Sequence, residues 1–63
     1  MHINEKIRLL RIAKGMSLEQ LAEEIGVTKQ MIFKYEKGIT LPTLLAAKQL
    51  AIVFGITVDE LIS

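Results

Sequence analysis

Between two glycines, residues 26–38 read GVTKQMIFKYEKG, and within them stand Lys29, Gln30, Lys34 and Lys37. These side chains donate hydrogen bonds and carry charge; they are not a set that makes or breaks bonds. A lysine ammonium donates to guanine acceptors or to phosphate, and a glutamine amide can bond adenine through two hydrogen bonds. On a wheel advancing about 100° per residue, with Ile32 as the inward reference, Tyr35 and Thr28 fall beside it and face the core. Gln30, Lys34 and Lys37 fall on the opposite side. Lys29 lies at the N-terminal end, where side chains of a groove-entering helix reach base edges. Met31 and Phe33 interrupt this polar set. Met31 is read as a packing residue. Phe33 flanks the outward face with two uses open, apolar contact with a thymine methyl group or packing on a neighbouring helix or a dimer partner.

Other chemistry finds no support. The single histidine, His2, stands near the chain end and is expected to be solvated, and there is no cysteine. No Ser/His/Asp grouping, phosphate-binding glycine loop or metal-spaced cluster appears, so no catalytic residue, metal or cofactor is expected, and no small-molecule substrate is evident. Glu19, Glu23 and Glu24 read as a solvated helix face. No apolar run approaches the roughly 18 residues of a membrane span, and MHINEKIRLL lacks the layout of a signal peptide. Cysteine usage fits a cytoplasmic location.

The groups must be held by a small scaffold. Sixty-three residues make one domain, 1–63, and a chain of this size buries only about 60% of its unfolded surface. With 51% apolar residues and no disulfide, short connections and a compact core must carry its stability. Net charge is only +1, but its distribution is uneven. Residues 1–14 and 28–37 are basic, whereas residues 16–27 carry Glu19, Glu23 and Glu24 without a base.

The four glycines punctuate the chain in the triplets GMS, GVT, GIT and GIT. A glycine just past a helix end can take the left-handed conformation that closes it, and the Ser or Thr can cap the next helix. Ser17 with Gln20 and Thr57 with Glu60 have capping-box spacing. After Gly38 the start is delayed past Pro42, and Thr43 is the better cap. Five helices follow, at 3–14, 18–25, 29–37, 44–54 and 58–62. Their inward stripes are Ile3, Ile7 and Leu10; Leu18, Leu21, Ala22 and Ile25; Ile32 and Tyr35; Leu44, Ala47, Leu50, Ala51 and Phe54; and Val58, Leu61 and Ile62. No strand alternation appears, so the fold class is all-α, a compact five-helix bundle. The second and third helices meet across a glycine turn that Val27 plugs, which is the helix-turn-helix layout.

These residues resemble the Cro and phage-repressor type of helix-turn-helix protein, the xenobiotic-response-element family. The likeness runs through IRLLR, SLEQLAEEIGVT, IFKYEKG, Pro42 and LAIVFGITVDEL, and so covers essentially the whole chain. It implies the phage-repressor DNA-binding fold, with the third helix in the major groove of double-stranded DNA, and a homodimer on half-sites about one helical turn apart. The expected function is transcriptional regulation or repression. The expected base-edge residues are Lys29, Gln30, Lys34 and Phe33. Ser17, Thr28, Lys37 and Thr40 are expected at the backbone, because free N–H groups at the starts of the second and third helices suit phosphate oxygens. Two departures weaken the expected affinity: Leu18 stands where many relatives have glutamine, and the loop GITLP lacks the usual Lys or Arg.

Arg11 falls near Ile7 on the first helix, and Glu36 falls beside Ile32 on the third. Both point too far inward for free charges, and the resemblance implies that they pair. A partly buried Arg11–Glu36 ion pair is therefore expected to orient the third helix, with no DNA contact of its own. Leu9, Ile12, Phe33, Ile39, Leu41, Leu45 and Ile52 are expected on outward faces, more than scattered exposure explains. Three uses stay open: a homodimer interface through helix four or five, a surface covered in a longer parent protein, or a deliberately altered surface. An interaction or engineered homo-oligomeric module that keeps the fold with weak or no DNA binding is the alternative function.

Overall fold

The computed structural model describes residues 2–63. Its helices are α1 (Ile3–Ala13), α2 (Leu18–Ile25), α3 (Lys29–Lys37), α4 (Leu44–Phe54) and α5 (Val58–Ile62). All five expected helices form, and no strand occurs among the described residues. Only one boundary moves: α1 stops at Ala13, with Lys14 as its cap.

Local chemistry accounts for these boundaries. Ser17, Thr28, Thr43 and Thr57 each accept a hydrogen bond from the amide three residues on, at 3.0, 3.2, 3.1 and 3.0 Å. Both capping boxes close, with Gln20 Oε1 accepting from Ser17 N at 2.7 Å and Glu60 Oε1 accepting from Thr57 N at 2.9 Å. Gly26 ends α2 at φ 74°, and its own N–H bonds Ala22 O. A side chain there would meet nothing within 4 Å, so the requirement for glycine is one of backbone conformation and not of space. The same left-handed step at Gly38 lets Ile39 N return to Lys34 O at 3.0 Å.

Five side chains are fully buried, one from each helix: Ile7, Leu21, Ile32, Leu50 and Leu61. They form the centre on which every helix converges. Ala22, Ala46, Ala47 and Ala51 are buried around them, and their small size lets helix backbones approach closely. Ile3, Leu10, Leu18, Val27, Met31, Val53 and Phe54 pack at the margin. α3 is seated against α2 and α1, and α4 packs on α2, α5 and α1. No buried side-chain nitrogen or oxygen among the described residues lacks a partner.

The inward stripes need three corrections. Leu44 is 74% exposed and Ile62 is 55% exposed, while Ala46 of α4, absent from the stripe, is buried. Leu44 lies about 120° from Leu50 and Ile62 about 100° from Leu61 on their wheels, and both stand at the rim of a groove shared with Ile3 and Val58. Thr28 is exposed as well, since its hydroxyl is turned to the Met31 amide. All seven apolar residues expected to point outward, on helix faces or in the loop, are exposed, Phe33 at 46% and Leu41 at 73% among them.

Candidate nucleic-acid interface

The outward face of α3 is short and polar. Nine residues give a length of about 14 Å, and a helix about 10–12 Å across fits a major groove about 12 Å wide. Lys29, Gln30, Phe33, Lys34 and Lys37 are all exposed. Met31 is half-buried against the core cluster, as its packing role requires. With Ile32 and Tyr35 buried beneath, the rotation of α3 about its axis is set by the core.

Beside this face lie the starts of α2 and α3. A helix leaves its first amides without intrahelical acceptors. The caps take Gln20 N and Met31 N, so Leu18 and Glu19 at one start, and Lys29 and Gln30 at the other, retain theirs for an outside acceptor. The Ser17 hydroxyl accepts from Gln20 N, which leaves its own proton free to donate. An open cleft of about 540 Å³, lined by Arg11, Ser17, Leu18, Glu19 and Lys29, joins the two starts. Leu18 is half-buried at its edge and packs on the core. Thr40 lies past the closing turn of α3 and is half-buried, unlike the exposed Ser17 and Thr28.

Arg11 and Glu36 are brought together. Arg11 Nε donates to Glu36 Oε2 at 2.6 Å and Nη2 donates to Oε1 at 3.1 Å. The two side chains are 14% and 6% exposed. Nη1 donates to Met16 O at 2.8 Å, so one guanidinium ties α1, the α1–α2 turn and α3. Hydrogen bonding to Glu36 raises the Arg11 pKa above its ordinary value; loss of hydration opposes this, and charge attraction to Glu36 adds to it. Asn4 Nδ2 donates to Glu36 O at 3.5 Å, a second and weaker tie from α1 to α3.

Two contacts at the face escaped the sequence reading. Lys37 Nζ sits 5.6 Å from the centroid of the Phe33 ring, a cation–π distance. Their four-residue spacing on a helix was the available signal. Lys29 Nζ lies 3.9 Å from Glu19 Oε1, with both side chains more than half exposed. That pair crosses from α2 to α3, and nothing in its sequence separation announces it. Among the described residues no cluster of His, Cys, Asp or Glu could hold a metal ion. No helix among them is long and apolar enough to cross a membrane.

A family model described as helix-turn-helix matches residues 7–61. The HTH-type transcriptional activator BcrR of Enterococcus faecalis is 40% identical over 63 residues, covering all of this chain and 31% of that protein. The cryptic phage CTXphi transcriptional repressor RstR of Vibrio cholerae is 38% identical over 60 residues, covering 95% of this chain and 54% of that protein. The chain thus spans about a third to a half of the length of these curated relatives. Among solved structures, SinR of Bacillus subtilis, the master regulator for biofilm formation, in complex with DNA, superposes with a TM-score of 0.85 at 30% identity, over 94% of this chain and 95% of that one.

Proposed function

The chain belongs to the helix-turn-helix family of DNA-binding transcription regulators, and from that premise we propose that it binds duplex DNA sequence-specifically as the reading domain of a repressor or regulator. The observation that carries this is the outward face of α3, where three lysines and a glutamine stand free of the core beside two capped helix starts. α3 enters the major groove. Lys29, Gln30, Lys34 and Phe33 meet base edges; Ser17, Thr28, Lys37 and Thr40 meet the backbone. Arg11 and Glu36 hold α3 at its angle and do not touch DNA. Residues 1–63 act as one domain in the cytoplasm, with no enzymatic step.

The partner copy docks through the groove between α4 and α5. That groove is lined by Ile3, Leu41, Pro42, Leu44, Val58 and Ile62, and Leu41 and Leu44 are nearly three-quarters exposed at its rim. Covering them in a two-fold pair supplies apolar burial, and half-sites about 34 Å apart are the spacing such a pair has to meet. A Leu44→Glu variant is expected to sediment as a monomer where the parent chain is a dimer.

A salt titration of duplex binding tests the main reading. Each phosphate neutralised contributes a slope of about −0.9 in log affinity against log salt. Lys37 on each of two copies contributes about −2, and a slope of about −5 is the limit reached only if Lys29 and Lys34 also neutralise phosphates. Affinity that falls steeply with salt is the expected result. No binding to any duplex at low salt would instead favour an interaction module, a reading that the apolar loop residues Ile39 and Leu41 support, because they lie where a phosphate contact would need a base.

A further inference from the structure

We propose that Phe33 reads the 5-methyl group of a pyrimidine, thymine or 5-methylcytosine, in the major groove. This rests on the reading of α3 as the groove-entering helix. Phe33 is 46% exposed and is not part of the apolar cluster that seats α3. Its place on the wheel is decisive. Measured from Ile32, Lys29 lies at about 60°, Phe33 at about 100°, Lys37 at about 140°, Gln30 at about 160° and Lys34 at about 200°. The ring therefore stands inside the polar arc, and no docking of that arc into a groove leaves it in water.

The major-groove edges of the base pairs are mostly donors and acceptors, and the largest apolar group among them is the methyl group on C5 of thymine. A ring pressed against a donor or acceptor strips that atom of water without replacing its hydrogen bond, which is costly. Against a methyl group the same ring gains burial on both sides. Lys37 favours this arrangement. Its ammonium lies 5.6 Å from the ring centroid, so one face of the ring carries a cation within reach of phosphate while the rest is presented to the groove. A 5-methylcytosine carries the same methyl group in the same place and is a second source of the same contact.

The probe is a duplex selected by the chain from a random pool. Each thymine in turn is replaced by uracil, which removes the methyl group and leaves every hydrogen bond, and each cytosine by 5-methylcytosine. One thymine per half-site is expected to lose about fourfold in affinity as uracil, and about fifteenfold when both half-sites are changed, the equivalent of about one buried carbon per site. Phe33→Ala is expected to bind thymine and uracil duplexes equally. A gain on 5-methylcytosine at the same register, lost in Phe33→Ala, would identify methylated sites as further targets. Tight duplex binding indifferent to uracil at every position would overturn the role of Phe33 and leave α3 as the reader. Discrimination that persists in Phe33→Ala would assign the methyl contact to another residue and overturn it equally. Failure to select any duplex would overturn the groove reading and this proposal together.

Discussion

Removing one partner of the Arg11–Glu36 pair should cost more than removing both. A domain of this kind has about 0.05–0.15 kcal/mol of stability per residue, or about 3–9 kcal/mol for the whole chain. Breaking a buried ion pair from one side costs about 3–5 kcal/mol, so a single substitution threatens a large fraction of the total. The geometry makes the two sides unequal. Arg11→Met leaves a carboxylate 6% exposed that has lost both its Nε and its Nη2 donors. Glu36→Met leaves a guanidinium that still donates to Met16 O and is 14% exposed, so its loss belongs at the lower end of the range. The double variant places two flexible apolar side chains together with no stranded charge, a replacement that is often neutral. The expected coupling between the two substitutions is therefore at least about 2 kcal/mol. The assay is urea unfolding followed by helical circular dichroism, with trimethylamine oxide added equally to all four proteins if a single variant is unfolded in plain buffer. Additive losses, with coupling below about 0.5 kcal/mol, would refute the claim that these residues stabilise the fold as a pair. Duplex binding adds a second readout. A folded double variant that binds less tightly, with an unchanged salt slope, marks a pair that orients α3 without touching phosphate.

Two further outcomes follow from the caps and the face. Hydrogen bonds from Thr57, through its backbone and its side chain, hold the Glu60 carboxyl below its ordinary range; loss of hydration opposes this and the charge of Lys6 assists it. Because the folded pKa is the lower one, the contribution of this group is present above the ordinary glutamate value and is lost as pH falls through the folded value. The amide shift of Thr57 in an acid titration should therefore move below the ordinary glutamate range and stay flat in Glu60→Gln; a midpoint at the ordinary value would count against the box as a source of stability. At the interface, Glu19 lies 3.9 Å from Lys29 Nζ and competes with DNA for that cation. Glu19→Gln should raise duplex affinity by up to about fivefold per copy, or about 25-fold for a bound pair, an exposed ion pair being worth no more than about 1 kcal/mol, and Lys29→Ala should abolish the gain. Weaker binding by Glu19→Gln would mean that this carboxylate itself accepts from a cytosine amino group.

The elements were legible because their signals act over three or four residues. A Ser or Thr hydroxyl reaches the amide three residues on, and glycine alone takes the left-handed closing step without strain. Each helix boundary could therefore be read from adjacent letters, and four of the five helices match to the residue. The direction of α3 was legible for the same reason, since Ile32 and Tyr35 share one side of a helix whose period is known.

Burial is different, because it depends on whether a neighbour is there to cover a face. The inward stripe of α4 includes Leu44, yet this residue stands about 120° from Leu50 on the wheel, at the rim of the groove that faces Val58 and Ile62, and is 74% exposed. Ala46 lies only about 40° from Leu50 on the same wheel and is buried, so its place was legible although its small side chain gives a weak apolar signal. Arg11 and Glu36 could each be marked as misplaced charges from their own helices. Their two-point hydrogen bond, and the third bond to Met16 O, required α1, the turn and α3 in one place. Glu19 beside Lys29 belongs to the same class. The sequence by itself determined where each helix starts, stops and points. The packing of one helix on another decided which charges are paired, which leucines stay in water and which groups are left free on α3 for a ligand, since those are properties of two elements and not of one.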